Sequence, residues 1–161
     1  MSAAIYHVPP VPLAKLIRRP GGKTISEAVL AADSAIVGMR QAVIDDIRAT
    51  LLSAEATLAS CERLDSAVVQ ELYLTVTRPI GVASLCSMTE VDQVLTSLAT
   101  LLDAMKRCTD PDRTAVVLHL QALRLFLAGD GNVERAGSVV TGLEQVTARF
   151  CSQVGDEDSA G

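Results

Sequence analysis

Residues 24–61 read TISEAVLAADSAIVGMRQAVIDDIRATLLSAEATLASC, and this stretch decides the fold. Its apolar residues fall at Ile25, Val29, Ala32, Ile36, Met39, Val43, Ile47, Leu51, Ala54, Leu58 and Cys61, every step being three or four. Such spacing puts one stripe on one face of a helix. Thr24 with Glu27 has the form of a capping box, so the helix is expected to start at Ile25. Gly38 can bend it without ending it, leaving one long helix or two collinear ones. Unbroken, it would run roughly 55 Å at 1.5 Å per residue, further than the helices available to pack against it. Its surplus apolar surface would suit a dimer partner or the segment before it.

Working outward, the segments on the C-terminal side repeat the pattern. A second helix is expected near Asp65 or Ser66, with Val69, Leu72 and Val76 inward, until Pro79 removes a hydrogen bond and pushes Arg78 away from α geometry. Ser87 with Glu90 reads as a capping box for a third, burying Val91, Val94, Leu98, Leu101 and Met105. Asp110-Pro111 marks the start of a fourth, with Val116, Leu120, Leu123 and Leu127 before Gly129. Asn132 is the expected cap of a fifth, with Ala136, Val139, Leu143, Val146, Phe150 and Val154 before a stop at Gly155. No segment alternates apolar and polar residues as a strand would. Short links between amphipathic helices imply an all-α, antiparallel up-and-down helical bundle of four to five helices. The expected domains are an extended Pro/Gly-rich basic arm over 1–23, the bundle over 24–155, and a disordered acidic tail over 156–161.

Composition agrees. Hydrophobic residues make up 49% of the 161 residues but aromatics only 2%, so Ala, Leu and Val must fill the core. Charge-free stretches such as Pro79–Thr89 and Thr114–Leu123 are about half the length of a membrane span, so no membrane contact is expected. The N-terminus lacks the basic start and apolar run of a secretory signal, and a cytoplasmic location is the expectation. Net charge is −5, which argues against nucleic acid as a partner. The charge is uneven: Lys15, Arg18, Arg19 and Lys23 precede the first acidic residue, Glu27, while Asp156, Glu157 and Asp158 crowd the other end.

Chemistry finds little to stand on. Gly22-Lys23-Thr24 ends like a phosphate-binding loop, but the earlier glycine would fall at Ile17 and no strand precedes it. Arg18, Arg19 and Lys23 beside a helix N-terminus remain a candidate anion site, which a nucleotide or other anion would fit. Cys61, Cys86, Cys108 and Cys151 form no CxxC, and neither His7 nor His119 lies near a cysteine pair, so no metal or other cofactor is expected. His119, between Leu118 and Leu120, reads as a packed or surface residue. No Ser, Cys or Lys is tied by spacing to a histidine and a carboxylate, so no enzymatic activity is expected.

Gly81-Val82-Ala83-Ser84-Leu85-Cys86-Ser87, followed by the amphipathic helix to Met105, resembles the core helix pair of histidine phosphotransfer (HPt) domains. Gly21-Gly22-Lys23-Thr24 leading into Glu27-Ala28, with Val116 to Leu125, is similar to the CheE-type proteins encoded in some bacterial chemotaxis operons. The resemblance implies an HPt-like bundle in two-component or chemotaxis signalling. It also implies degeneracy: counting back from Gly81, Thr77 stands where the phosphoryl-accepting histidine belongs and Ile80 where the lysine belongs. Threonine does not form the labile phosphoramidate that makes transfer reversible. The implied role is docking a response-regulator receiver domain or histidine kinase through Tyr73, Thr77, Arg78 and Gly81. A homo-oligomeric structural protein, such as a homodimer, is the competing reading. All four cysteines are expected to titrate as free thiols under native, non-oxidising conditions; a reproducible intramolecular disulfide would contradict the cytoplasmic expectation.

Overall fold

A computed structural model describes residues 22–108, 110–129 and 133–159. Those residues are all-helical, with no strand among them: α1 Ile25–Ser60, α2 Ser66–Thr77, α3 Val82–Leu85, α4 Thr89–Met105, α5 Arg113–Ala128 and α6 Val133–Ser159. None of the helices is long and apolar enough to cross a membrane. The chain divides into two units, Met1–Ala35 and Ile36–Gly161.

The described part of the first unit is the start of α1. Thr24 N–H donates to Glu27 Oε2 at 2.7 Å and Glu27 N–H donates to Thr24 Oγ1 at 3.2 Å, the reciprocal pair of a capping box. From there α1 is one uninterrupted helix of 36 residues, passing Gly38 without a break. Its apolar stripe has two fates. Val43, Ile47, Leu51, Ala54 and Leu58 are buried, whereas Ile25, Val29, Ile36 and Met39 are exposed.

In the second unit α4 is the hub, packing against α2, α3, α5 and α6. Sequence spacing put five of its residues inside, and the structure buries ten, adding Leu95, Ser97, Ala99, Leu102 and Ala104. A helix packed from one side buries a stripe; one packed by four neighbours buries most of its circumference. The other end of the stripe on α1 is tied down by α5. Arg113 Nη1 donates to Cys61 O and Nη2 to Leu58 O, both at 2.6 Å, serving the carbonyls that a helix end leaves unpaired. Further along, Arg124 Nη2 pairs with Glu55 at 2.6 Å and Arg48 Nη2 reaches Leu127 O at 3.4 Å.

Several ends fall elsewhere than the spacing predicts. Asp65 does cap α2, accepting from Val68 N–H at 2.8 Å, and α2 stops at Thr77. Arg78, however, keeps helical angles (φ −58°, ψ −46°); the ladder ends because Pro79 has no N–H to continue it. α5 starts two residues later than Asp110-Pro111 suggests, because Asp112 is the cap and accepts from Thr114 and Ala115 N–H. Asn132 lies outside the described residues. α6 runs through Gly155 to Ser159, so the expected stop at Gly155 is not where the helix ends.

Ser87 is the largest departure. It does not cap α4, whose N-cap is Met88 with no side-chain hydrogen bond, and its own φ is +60°. The short α3 turns the chain back so tightly that Cys86 and Met88 N–H both donate to Ala83 O, and Ser87 is carried into the left-handed region. That conformation costs a residue with a Cβ about 1 kcal/mol or more. Ser87→Gly is therefore expected to raise the melting temperature by a few degrees, on the order of 2–4 °C per kcal/mol for a chain of this size. A fall in thermal unfolding by calorimetry would mean that Ser87 is acting as a cap after all.

Candidate functional site

The residues singled out from the sequence meet at the corner where α2 turns through α3 into α4. Tyr73 and Thr77 stand one turn apart on α2, both half-buried, while Arg78 and Gly81 are exposed. Lys106 Nζ lies 3.2 Å from the centroid of the Tyr73 ring, a cation-π contact that holds the phenol in place. Thr77 Oγ1 donates back to Tyr73 O at 2.9 Å, so its hydroxyl proton is committed to the helix.

One carboxylate organises the corner. Gly81 N–H donates to Asp92 Oδ1 at 2.6 Å and Ser84 Oγ donates to Asp92 Oδ2 at 2.7 Å, so the side chain from the first turn of α4 holds the loop before it. Gly81 has φ +86°, where only glycine sits without strain. It does not serve a close approach of two helices, because a Cβ there would meet nothing within 4 Å. Ala83 is the small residue that is packed, fully buried against the core. Around this braced turn three large apolar side chains face outward: Leu74 at 56% exposure, Val82 at 39% and Leu85 at 67%. Sequence reasoning missed them because each occupies a position indistinguishable by type from the buried residues beside it.

A second cluster lies inside. His119, with no solvent exposure, has Nδ1 2.8 Å from Ala115 O and Nε2 3.0 Å from Ser97 Oγ. A carbonyl only accepts, so Nδ1 carries the proton and neutral Nε2 accepts from a hydroxyl. Thr147 Oγ1, 3.0 Å from Ser97 Oγ and 3.3 Å from Nε2, completes a knot joining α4, α5 and α6. The Ser97–His119 pair has the distance of a nucleophile and its base. Yet Nδ1 is held by a neutral carbonyl rather than a carboxylate, and the N–H groups flanking Ser97 lie within α4, where the helix ladder uses them instead of an oxyanion. The knot is a packing device. Above it, Ser84, Thr96, Thr100 and Glu144 line a groove of about 420 Å³ between α4 and α6, with Ser97 and Thr147 at its floor.

Of the candidate anion site, Arg18 and Arg19 lie outside the described residues, and Lys23 is exposed. The adjoining start of α1 is served by Glu27, whose carboxyl is held below its usual range by hydrogen bonds from the Thr24 backbone and hydroxyl. That negative charge sits where an incoming anion would have to be. The four cysteines are free, Cys86 buried and the others half-buried. Among the described residues no group of His, Cys, Asp and Glu is arranged to hold a metal ion. Comparison with known proteins returns no matching family model, no matching curated protein and no matching solved structure.

The knot has a pH signature. Burial lowers the His119 pKa from its usual 6.5, the Ala115 carbonyl opposing this. The unfolded chain therefore binds a proton at mildly acidic pH that the folded chain does not. The associated stability is complete above the unfolded pKa near 6.5 and is lost as pH falls toward the folded value, at a rate of at most about 1.4 kcal/mol per pH unit. Denaturant unfolding between pH 7.5 and 5 should show this loss, and His119→Gln should flatten the slope. An unchanged slope would mean that His119 is not the group responsible.

Proposed function

We propose that the chain is a non-catalytic protein-interaction module whose α2–α3 corner docks a receiver domain or histidine kinase of a two-component or chemotaxis system. The observation that supports this is the exposed set Leu74, Val82 and Leu85 around the turn that carries Thr77, Arg78 and Gly81. Single exposed leucines are ordinary on protein surfaces; three exposed apolar side chains within twelve residues flanking one braced turn are what supports the reading. A core of apolar side chains with a cation at its edge is the usual anatomy of a protein–protein interface, and Arg78 supplies the cation. The bracing matters energetically, because a loop already held by Asp92 loses little freedom on binding.

The HPt-like, antiparallel up-and-down bundle belongs to the same reading. The contacts of Arg113 with the end of α1, and of Arg48 with the end of α5, support antiparallel neighbours there. Thr77 in the place of a phosphoryl-accepting histidine, its hydroxyl turned onto the backbone, suits docking without transfer. Binding would sequester a receiver or compete with its phosphodonor, changing phosphate flux in the cytosol.

Gly81→Arg is a poor test, since φ +86° strains any side chain whether or not a partner docks. Leu85→Asp and Leu74→Glu are better: both are exposed, so stability should change by no more than about 0.5 kcal/mol. Each is expected to weaken receiver binding at least tenfold from a dissociation constant on the order of micromolar. Calorimetric titration against the receivers and kinases of the same genome reads this out. Absence of saturable binding to all of them, phosphorylated or not, would remove the reading, as would binding that neither substitution weakens.

A further inference from the structure

The knot at Ser97 leaves an acceptor unclaimed. His119 Nδ1 carries the ring proton, so Nε2 accepts, and two hydroxyl protons serve Ser97, Thr147 and Nε2 between them. If Ser97 donates to Nε2 and Thr147 to Ser97, the Thr147 oxygen accepts nothing. If Thr147 donates to Nε2 and Ser97 to Thr147, the Ser97 oxygen accepts nothing. If both donate to Nε2, neither oxygen accepts. Every arrangement leaves at least one hydroxyl oxygen without a donor among the described residues, although Ser97 is only 7% exposed and Thr147 5%. An acceptor buried in that state calls for a donor from outside the knot. Both residues lie at the floor of the groove between α4 and α6.

The walls of the groove have the same polarity. Ser84 Oγ donates to Asp92 Oδ2 at 2.7 Å, Thr96 Oγ1 to Asp92 O at 2.8 Å and Thr100 Oγ1 to Thr96 O at 2.9 Å. Each hydroxyl spends its proton on the protein and keeps its lone pairs. The carboxylates of Asp92 and Glu144 add further acceptors and negative charge, and no Lys, Arg or His lines the groove. Side-chain donors left over among the described lining residues belong to Thr89, Gln93 and Cys151, none of them a cation. Threonine methyl groups and Ala148 supply the apolar part of the lining. At about 420 Å³ the groove has the capacity of a small-molecule site, for which about 300–1,000 Å³ is usual.

We propose that this groove binds a small aliphatic amine in its ammonium form. A primary ammonium has three donors and no acceptor, the complement of walls rich in acceptors and poor in donors. Its charge is opposite to that of Asp92 and Glu144, and hydrogen bonds from a charged donor are about twice as strong as those between neutral groups. The alkyl chain has the methyl groups and Ala148 to lie against. An anion would meet two carboxylates with no cation to offset them. Asp92 and Ser84 also hold the docking corner, so the two places share a brace, but the amine site does not depend on what docks there.

Titration of the full chain with butylammonium, followed by methyl NMR of Thr96, Thr100, Thr147 and Ala148, tests the proposal. Saturable shifts at these methyl groups are expected, with a dissociation constant on the order of millimolar for so small a probe. Butyltrimethylammonium, which keeps the charge but has no N–H, and 1-butanol, which has a donor but no charge, should each bind at least tenfold more weakly. Glu144→Gln, at an exposed position, should leave the melting temperature unchanged and weaken butylammonium about threefold, as loss of an exposed ion pair does. A lysine side chain carries the same head group, and Nα-acetyl-lysine methylamide separates the two sources: binding no tighter than that of butylammonium fits a free amine, whereas binding tenfold tighter assigns the groove to a lysine of a protein and overturns it. Absence of saturable shifts would mean that water alone serves the buried oxygen, and that result, equal binding of the quaternary cation, or indifference to Glu144→Gln likewise overturns the proposal.

Discussion

Surrounding α4 on most of its circumference puts a severe demand on any polar atom it carries, and Ser97 is such an atom. A buried hydroxyl without a partner costs roughly 1–3 kcal/mol. His119 and Thr147 supply the partners, one from α5 and one from α6. The packing around α4 is apolar and would tolerate small rotations of each helix about its axis; the three-way hydrogen bonding tolerates far less, since directional bonds near 3 Å fail when a helix turns. Apolar burial thus provides the drive to assemble, and the knot selects one rotational setting of three helices. Both hydroxyl protons and the imidazole N–H are spent internally, which is why a serine–histidine pair here argues for structure rather than for chemistry.

The outward-facing end of the bundle follows from the same helix. Asp92 leaves the first turn of α4 to hold Gly81 and Ser84, and the segment it braces carries Val82 and Leu85 into solvent. Exposed apolar side chains on a floppy loop would tend to fold down and bury themselves. On a braced turn they cannot, and exposed they remain available to a partner. The strained Ser87 is part of that compromise, because the reversal from α3 into α4 has to be made within a few residues.

α1 shows how one stripe can serve two environments. From Val43 on it is buried in the bundle and clamped at its end by Arg113, whereas Ile25, Val29 and Met39 are exposed. A stripe read only as apolar does not separate them.

Helical class, the existence of each long helix and the start of α1 at its capping box were legible in the sequence, because they depend on contacts three or four residues apart. The end of α2 at Pro79 belongs with them, since a missing N–H acts locally. The caps at Asp112 and Met88, the left-handed Ser87 and the run of α6 past Gly155 were not, since several residues near each end can serve and the rest of the chain chooses among them. Thr77, Tyr73 and Gly81 could be named from sequence, but not that Thr77 spends its proton on the backbone, or that Gly81 is needed for its φ and not for close packing. Nor did spacing distinguish the buried Leu95 and Leu102 from the exposed Leu74 and Leu85. Periodicity reports which residues share a face; whether that face meets another helix, solvent or a second molecule is settled by elements far away in the chain, and so only by the tertiary structure.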